Sequence, residues 1–226
     1  MKRTILCLLF TLIVNCLFAD LTTAQKESLI QGGKIVINNE VKGKVWPKTT
    51  VHMFFEGVTP LQAFAFYAAY RHQKNYVMDV KSSVPVAQKA PTHVLVDYVH
   101  DVPWPLSDAK YTTGNIIEKT GENTYKISWY QVKSTSTESA TGHALFSPLA
   151  NGTLFSYYGH TEPKSIFGGL LKDIAPKNLQ KTLVGIKKAT IKAVKERPEL
   201  IKGFVKLVKD SFSGKWVYVP PKKEAK

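Results

Sequence analysis

The sequence predicts an α+β protein in which an antiparallel sheet is followed by a long C-terminal helix. Two observations indicate this class. Short segments that alternate apolar and polar residues, separated by turn residues, fill the middle of the 226-residue chain. Residues 179–196 then place apolar side chains at helical spacing on one face and lysines on the other, which is typical of an amphipathic helix lying on a core.

The first helix is predicted between the second and third strands. Thr59 is a good N-cap and Pro60 suits the first helical position, so the helix is predicted to extend to about Asn75. Ser/Thr-rich residues 134–139 and an Asn-Gly pair at 151–152 are predicted turns. Strands are predicted at residues 34–38, 51–55, 93–101, 111–118, 125–133, 140–146 and 153–160, with a further candidate within 74–86.

A second amphipathic helix is predicted at residues 199–213, after Pro198 ends or kinks the first. Two interpretations of its apolar stripe remain open. The stripe lies on an anionic bilayer with lysines beside it, or it packs on the domain and the lysines form a solvated face. The stripe comprises Ile201, Phe204, Val205, Val208 and Phe212.

Residues 103–108, with the sequence Pro-Trp-Pro-Leu-Ser-Asp, interrupt the predicted sheet between two strands. Neither proline can donate a hydrogen bond to a neighbouring strand, and Trp104 is restricted to extended backbone because a proline follows it. Ser107 and Asp108 can close a turn by bonding to the following backbone. Trp104 is therefore predicted to be a structural plug at a sheet corner, with a ligand contact as the alternative.

A strand, this hexapeptide and a Tyr-led strand together resemble START-related domains of the helix-grip superfamily (SRPBCC, birch-pollen-allergen-like). The order of elements over residues 33–197 is similar too. Many relatives have an arginine and an acidic residue directly after the Ser-Asp pair, whereas this chain has Ala109 and Lys110 there. No role of the arginine and the acidic residue is therefore carried over. The resemblance implies a helix-grip fold, in which a curved antiparallel sheet wraps around the long C-terminal helix and encloses an apolar cavity.

The function that this resemblance implies is the binding of a lipid or other hydrophobic small molecule in the cavity. On strand 93–101 the more apolar face, which carries Val94 and Val96, is predicted to point inward. On the strands at 125–133 and 153–160 both faces remain open, and ordinary core or surface aromatics are the alternative interpretation. The candidate ligand-binding residues are Val96, Tyr98, His100, Trp104, Trp129 and Tyr157.

Two other functions remain open. The first is a cyclase- or hydrolase-like enzyme in which Tyr98, His100 or His143 acts as general acid or base. The second is a non-catalytic envelope interaction protein. The sequence contains no recognised metal-ligand spacing, no Gly-x-Ser-x-Gly elbow and no phosphate or dinucleotide fingerprint. We therefore predict no metal, no cofactor and no catalytic residue.

Residues 1–24 are predicted to be a signal peptide. Two basic residues precede an apolar segment at residues 5–18, which is too short for a comfortable membrane span of roughly 20 residues. Cleavage before Gln25 is favoured, with cleavage after Ala19 as the alternative. The chain is therefore predicted to be exported to the periplasm of a bacterial envelope or secreted.

Both cysteines, Cys7 and Cys16, lie inside this segment. The mature chain would then contain no disulfide and no thiol nucleophile. Residues 13–16 loosely resemble a lipoprotein box, which makes lipidation of Cys16 a less favoured alternative.

The formal net charge of +14 is unevenly distributed. Residues 164–226 hold 16 Lys/Arg against 5 Asp/Glu, whereas residues 1–163 hold 15 against 12. This asymmetry indicates an anionic partner, and a membrane surface that contacts the basic C-terminal extension at residues 198–226 is the candidate. Nucleic acid is not predicted, because export removes the chain from most of it.

Overall fold

The computed structural model describes residues 21–102, 107–164, 167–170, 172 and 174–220. The described strands form an eight-stranded antiparallel sheet in the spatial order β1-β2-β8-β7-β6-β5-β4-β3. The predicted α+β class is thereby confirmed. In chain order the elements are α1 (Thr23–Ile30), β1 (Lys34–Asn39), β2 (Lys48–Glu56), α2 (Pro60–Tyr67), a 3₁₀ helix (Tyr70–Asn75), β3 (Val80–Ala90), β4 (His93–His100), β5 (Ala109–Lys119), β6 (Tyr125–Ser134), β7 (Thr137–Leu149), β8 (Gly152–Pro163), α3 (Phe167–Leu170), α4 (Ala175–Glu196) and α5 (Pro198–Phe212).

The sheet is a meander closed by one long-range pairing. From β3 to β8 every strand pairs with the next strand in sequence. The hairpin β1–β2 joins this meander where β2 pairs with β8, and Val51 lies opposite Tyr157 there. Helix α2 packs against β6, β7 and β8 as the chain passes from β2 to the opposite edge strand β3. The inner face of the sheet therefore lies between its strands and the helices.

The strand register decides which side chains point inward. Residues directly opposite each other on neighbouring antiparallel strands lie on the same face. Val94, Val96 and Tyr98 of β4 are buried, as the sequence predicts for the inward face. The cross-strand pairs extend this face to Tyr111, Thr113, Asn115 and Ile117 of β5, Tyr125, Ile127, Trp129 and Gln131 of β6, Gly142, Ala144 and Phe146 of β7, Phe155, Tyr157 and Gly159 of β8, and Val51, Met53 and Phe55 of β2.

Helix α2 begins where the sequence predicts. The backbone N–H of Gln62 donates to Thr59 Oγ1 at 3.3 Å, and the Thr59 N–H donates to Gln62 Oε1 at 3.0 Å. This reciprocal capping box satisfies two backbone donors that a helix start leaves without intrahelical partners.

The prediction that this helix continues to Asn75 is wrong. Helix α2 ends at Tyr67, Ala69 leaves the helical conformation at φ −77° and ψ 63°, and a 3₁₀ helix follows. The Gln73 side chain donates to the Tyr67 carbonyl at 2.9 Å, so it satisfies an acceptor at the helix end. The break also places the Tyr70 ring in the core, where it is 1% exposed.

The turns between the later strands are shorter than predicted. Between β6 and β7 only residues 135–136 remain, and Ser134 Oγ accepts hydrogen bonds from the backbone N–H groups of Ser136 and Thr137, each at 3.1 Å. In the β7–β8 hairpin, Ala150 takes a left-handed φ of 45° and Gly152 already belongs to β8. The candidate strand within residues 74–86 corresponds to β3, which starts at Val80.

Helix α4 starts at Ala175, earlier than the predicted start at Leu179, and ends at Glu196. Its buried side chains include Leu183, Ile186 and Thr190. These residues face the core, and the lysines of the helix are mostly exposed.

Helix α5 is part of the packed domain. Ile201, Phe204 and Val208 are 2%, 7% and 0% exposed, and α5 packs on α2. The Phe212 ring stacks on Phe64 with their centroids 5.9 Å apart, and Ser211 Oγ donates to the carbonyl of Pro91. Of the two interpretations of the apolar stripe, the structure supports packing on the domain.

Helix α1 is a further element that the sequence analysis did not identify. Thr22 and Gln25 form a capping box at its start, so the Thr-x-x-Gln spacing was a signal that could have found it. Leu29 is fully buried, and the helix contacts β1 and β2. Helix α1 therefore belongs to the folded unit, although its first residues lie within the predicted signal peptide.

Several predicted features lie outside the described residues. They are residues 1–20 of the predicted signal peptide, which contain both cysteines, and Trp104 with its flanking prolines. Within the part of the chain that the structure describes, no helix combines the length and the apolar character needed to cross a bilayer.

Replacing Phe204 by Ala tests whether α5 is integral to the fold. We expect a loss of about 3 kcal/mol in the free energy of unfolding, because a buried aromatic ring is removed from its contacts. Urea denaturation followed by circular dichroism measures this loss, and the exposed Lys209→Ala on the same helix is the control, with a change within about 0.5 kcal/mol. Equal small effects for both variants would show that α5 is an independent extension.

Candidate functional site

Two aromatic rings lie flat against the inner face of the sheet. Trp129 of β6 and Tyr157 of β8 stack with their centroids 5.2 Å apart and an interplanar angle of 28°. Glycines on the same face make this possible. A Cβ on Gly142 would lie 2.4 Å from the Trp129 ring, and a Cβ on Gly159 would lie 2.3 Å from the Tyr157 hydroxyl. The two rings therefore extend along the sheet instead of projecting from it.

A second stacked pair continues this inner face towards β4. Tyr98 and Tyr111 stack with centroids 5.1 Å apart and an interplanar angle of 16°. His100 lies next to this pair, with its ring 6.1 Å from that of Tyr111. Burial lowers the pKa of His100, with smaller opposing contributions from Asp79 and Asp101, so the imidazole is neutral at neutral pH.

Tyr67, at the end of α2, completes a group of three tyrosines that we call the tyrosine triad: Tyr67, Tyr111 and Tyr157. The Tyr67 ring packs against Phe146 and Phe155 with centroid distances of 5.8 and 6.1 Å. Burial raises the pKa of each triad hydroxyl, and in Tyr67 the other two members raise it further. Each of the three side chains nevertheless keeps some accessible surface. Strong desolvation with residual accessible surface is the combination expected of side chains that line an interior space.

The hydroxyl groups of the interior differ in their hydrogen bonding. Tyr98 donates to Gln73 Oε1 and Tyr76 donates to the Phe66 carbonyl, both at 2.7 Å. The triad hydroxyls have no hydrogen-bond partner among the described residues. The hydroxyls of Tyr70 and Tyr218 are likewise buried without a partner in this part of the chain. Because the triad side chains keep accessible surface, their hydroxyls can bond to a molecule that enters the interior.

A pocket of about 120 Å³ opens at the end of the sheet where β2 begins, β8 ends and α4 begins. The Trp46 indole N–H donates to the Gly168 carbonyl at 2.9 Å, which fixes one wall. The lining residues are Trp46, Pro47, Thr49, Tyr157, Gly159, Thr161, Ala175, Pro176 and Leu179. Tyr157 lines this pocket and also stacks on Trp129, so the pocket borders the aromatic inner face.

The inward positions around Trp129 and Tyr157 carry polar groups but no formal charge. Lys119, which lies opposite Tyr125 at the end of β5, is a charged residue in the inward register, and it is exposed. The polar groups include Thr113 and Asn115 of β5, which bond to each other at 2.8 Å. An ionised group placed beside these two rings would have no countercharge at the neighbouring inward positions.

Five of the six predicted ligand-binding residues share the inner face. Val96, Tyr98 and His100 lie on β4, and Trp129 and Tyr157 lie on β6 and β8. Only the last two contact each other through their rings. Trp104 lies outside the described residues, and a ligand role for the other five stays a prediction.

The sequence analysis missed Tyr67, Tyr111 and Gln73. Alternation from Tyr111 through Thr113 to Asn115 was a sequence signal for the inward face of β5. No comparable signal existed for Tyr67 and Gln73, because their positions depend on the break after α2.

Of the three candidate acid–base residues of the enzyme hypothesis, Tyr98 and His100 share the inner face and His143 lies apart from them. His143 pairs with Tyr158 across β7 and β8 on the outer face, opposite to Tyr98 and His100. Among the described inward-facing residues, no two titratable side chains are hydrogen-bonded to each other. No group of three potential metal ligands occurs in the described parts of the chain either.

The comparisons with known proteins concern the fold. No protein-family model and no characterised protein sequence matches the chain. A solved STAR-related lipid transfer protein from Xanthomonas axonopodis matches with a TM-score of 0.62 and 17% identity, over 70% of this chain and 93% of that one. The human StAR-related lipid transfer protein 5 matches with a TM-score of 0.57 and 9% identity, over 76% and 97% of the two chains.

The protein has the START-like helix-grip fold. An aromatase/cyclase, Zhui from a Streptomyces species, matches as well, with a TM-score of 0.53 and 9% identity over 73% of this chain and 96% of that one. At such identities the likeness shows the fold alone. Because the START-like fold includes lipid-transfer proteins and a cyclase among these matches, the choice between binding and catalysis has to come from the site itself.

Proposed function

We propose that this START-like protein binds a hydrophobic small molecule or lipid between the inner face of its sheet and α4. The observation that carries the proposal is the flat pair Trp129–Tyr157, whose tyrosine also lines the pocket. Aromatic walls with a few polar groups are typical of sites for largely apolar ligands. The absence of hydrogen-bonded titratable pairs among the described inward residues favours binding over catalysis.

The size of the pocket sets a condition on binding. Its volume of about 120 Å³ is below the roughly 300–1,000 Å³ of ordinary ligand pockets. A ligand therefore enters only if the pocket widens. The start of α4, residues 175–179, which supplies Ala175, Pro176 and Leu179 to the pocket, is the segment that moves in this proposal. No side chain caps this helix start, and Ile174 before it is 50% exposed.

We further propose that the protein acts as a carrier at an anionic membrane surface. The apolar stripe of α5 does not support this directly, since it is buried in the core. Ion pairs also engage three basic groups of the C-terminal extension, with Lys202–Glu199 at 2.7 Å, and Lys206 and Lys215 both paired with Asp210.

The exposed face of α4 offers a better basic surface, which we call the lysine row. At 100° per residue its members lie within about 60° of one another, and they extend over about 27 Å of the helix. The lysine row consists of Lys177, Lys181, Lys188, Lys192 and Lys195, all of them exposed. Lys192 is 3.8 Å from Glu196, which is a weak pairing. Like charges spaced in this way destabilise an isolated helix, so an anionic partner would relieve the repulsion.

Export remains part of the proposal, supported by the basic, then apolar, N-terminal sequence. The structure adds a consequence for the cleavage site. Cleavage before Gln25 would remove Thr22 and the first two residues of α1, whereas cleavage after Ala19 would leave the helix and its capping box whole.

Filling the pocket tests the binding function. Leu179→Trp adds volume between α4 and the sheet, so we expect at least about tenfold weaker binding of a fluorescent lipophilic probe, and loss of any hydrophobic molecule that co-purifies. Fluorescence titration and native mass spectrometry measure the two effects. Lys181→Trp, exposed on the same helix, is the matched control. Wild-type protein that neither binds the probe nor carries a co-purified molecule would contradict the proposal.

Charge reversal of Lys177, Lys181 and Lys188 to Glu tests the lysine row. We expect at least about tenfold weaker binding to vesicles containing phosphatidylserine, since each basic residue contributes about 1 kcal/mol near such a surface. Sedimentation of vesicles at low and high salt measures it. The control reverses three exposed lysines of the sheet: Lys89, Lys119 and Lys133. Equal losses in both triple variants would show that only net charge matters.

Expression of the full chain in a bacterial host tests export. We expect the protein in the periplasmic or culture fraction with a shortened N-terminus, and intact mass together with N-terminal sequencing locates the cut. The Thr22 capping box favours a first residue at Asp20, after Ala19, over Gln25. A full-length chain confined to the cytoplasm would contradict export.

A further inference from the structure

We propose that residues 214–219, which we call the C-terminal strap, form a latch along the β3 edge of the interior, and that opening of this latch limits how fast a ligand is taken up. The inference rests on the proposed binding function and adds a second movable wall to the one at the start of α4. It follows from how few bonds fasten the strap, from what the strap covers and from two hydroxyl groups that its closure buries.

The far end of the strap is fastened by few hydrogen bonds. The strap follows α5, turns at Gly214 with a left-handed φ of 92° and contains no helix or strand. The backbone N–H groups of Tyr218 and Val219 donate to the same acceptor, Gln88 Oε1, at 3.1 and 3.0 Å. Arg71 donates to the Tyr218 carbonyl at 3.4 Å, which is longer than an ordinary hydrogen bond. The Gln88 side chain therefore carries most of the hydrogen bonding at this end.

The strap is attached at the edge of the inner face that β3 forms. Strand β3 is an edge strand of the sheet, and its Gln88 pairs with the buried Val94 of β4. Ser83 of the same strand pairs with the inward Tyr98, and its hydroxyl donates to the carbonyl of Tyr70. Residues directly opposite each other on antiparallel strands share a face. Tyr70 and the acceptor of the strap therefore both lie on the inner side of β3.

Tyr218 is the part of the strap that covers the interior. Its ring packs on that of Tyr70 with the centroids 5.2 Å apart, and the two side chains are 6% and 1% exposed. Trp216, two residues earlier on the strap, is 40% exposed. Lifting the strap would therefore uncover Tyr70 and open the interior from the side of β3, away from the pocket at β2, β8 and α4.

Closure of the strap buries hydroxyl groups that have no partner. Neither the Tyr70 nor the Tyr218 hydroxyl is hydrogen-bonded to any of the described residues, whereas the buried hydroxyls of Tyr98 and Tyr76 each donate to a protein oxygen. A buried donor without a partner destabilises the closed state, and exposure to water removes this penalty. Ring packing therefore favours closure and the unpaired hydroxyls oppose it, which leaves the strap poised to open.

Hydrogen exchange at the amides of Tyr218 and Val219 measures opening of the strap, because both amides are hydrogen-bonded when it is closed. Tyr218→Phe keeps the ring and removes an unpaired hydroxyl, so we expect exchange about fivefold slower and a melting temperature about 2–4 °C higher. Gln88→Ala removes the shared acceptor, so we expect exchange at least about tenfold faster. Tyr130→Phe is the matched control that leaves strap exchange unchanged, since its hydroxyl bonds to His93 at 2.9 Å on the outer face.

Stopped-flow uptake of the fluorescent lipophilic probe tests whether the latch controls entry. We expect association to be slowest in Tyr218→Phe and fastest in Gln88→Ala, in the order of the exchange rates, and thermal melts establish that each variant is folded. Unchanged or faster exchange in Tyr218→Phe would overturn the latch, and association rates that do not follow exchange would overturn its control of uptake. Both results leave the proposed function standing. Wild-type protein that takes up no probe would contradict the proposed function, while the exchange rates still decide whether the strap is a latch.

Discussion

The pairing of β2 with β8 is the constraint on which the interior of this protein depends. It joins residues separated by about a hundred positions in sequence, and it places Val51 opposite Tyr157. Because side chains alternate across a strand, a slip of one residue would move the inward face of β2 to the outside. The pocket depends on the same register, since β2 contributes Thr49 and β8 contributes Tyr157 and Gly159 to its lining.

Glycines on the inner face leave room between the sheet and the helices. Large aromatic residues on a concave face would normally project inward and fill it. Here the absence of a side chain at Gly142 and Gly159 lets Trp129 and Tyr157 lie along the sheet. The rings therefore add apolar surface without projecting far from the strands. The same small residues that permit a close approach of the rings therefore keep room between the sheet and α4.

Local patterns predicted much of this fold, and the reasons for the failures are physical. Alternation identified the inward face of β4, and amphipathic spacing identified α4 and α5. The end of α2 was not predictable, because it depends on Gln73 bonding to Tyr67 after the chain has turned. An amphipathic stripe shows that a face must be covered but does not identify what covers it. The partner of α5 was therefore open until its packing on α2 was known.

The distribution of charge places two proposed roles, membrane contact and ligand binding, on different surfaces of the protein. The inward positions around Trp129 and Tyr157 are uncharged, while the lysine row lies opposite the buried face of α4. In the proposed carrier, an anionic headgroup would be attracted to this exposed row, and burying it beside the two rings would be unfavourable because no countercharge lies there. For the proposed carrier, this separation would let a charged bilayer contact α4 while the apolar part of a ligand lies against the aromatic inner face. The basic surface and the aromatic interior then need not recognise the same lipid.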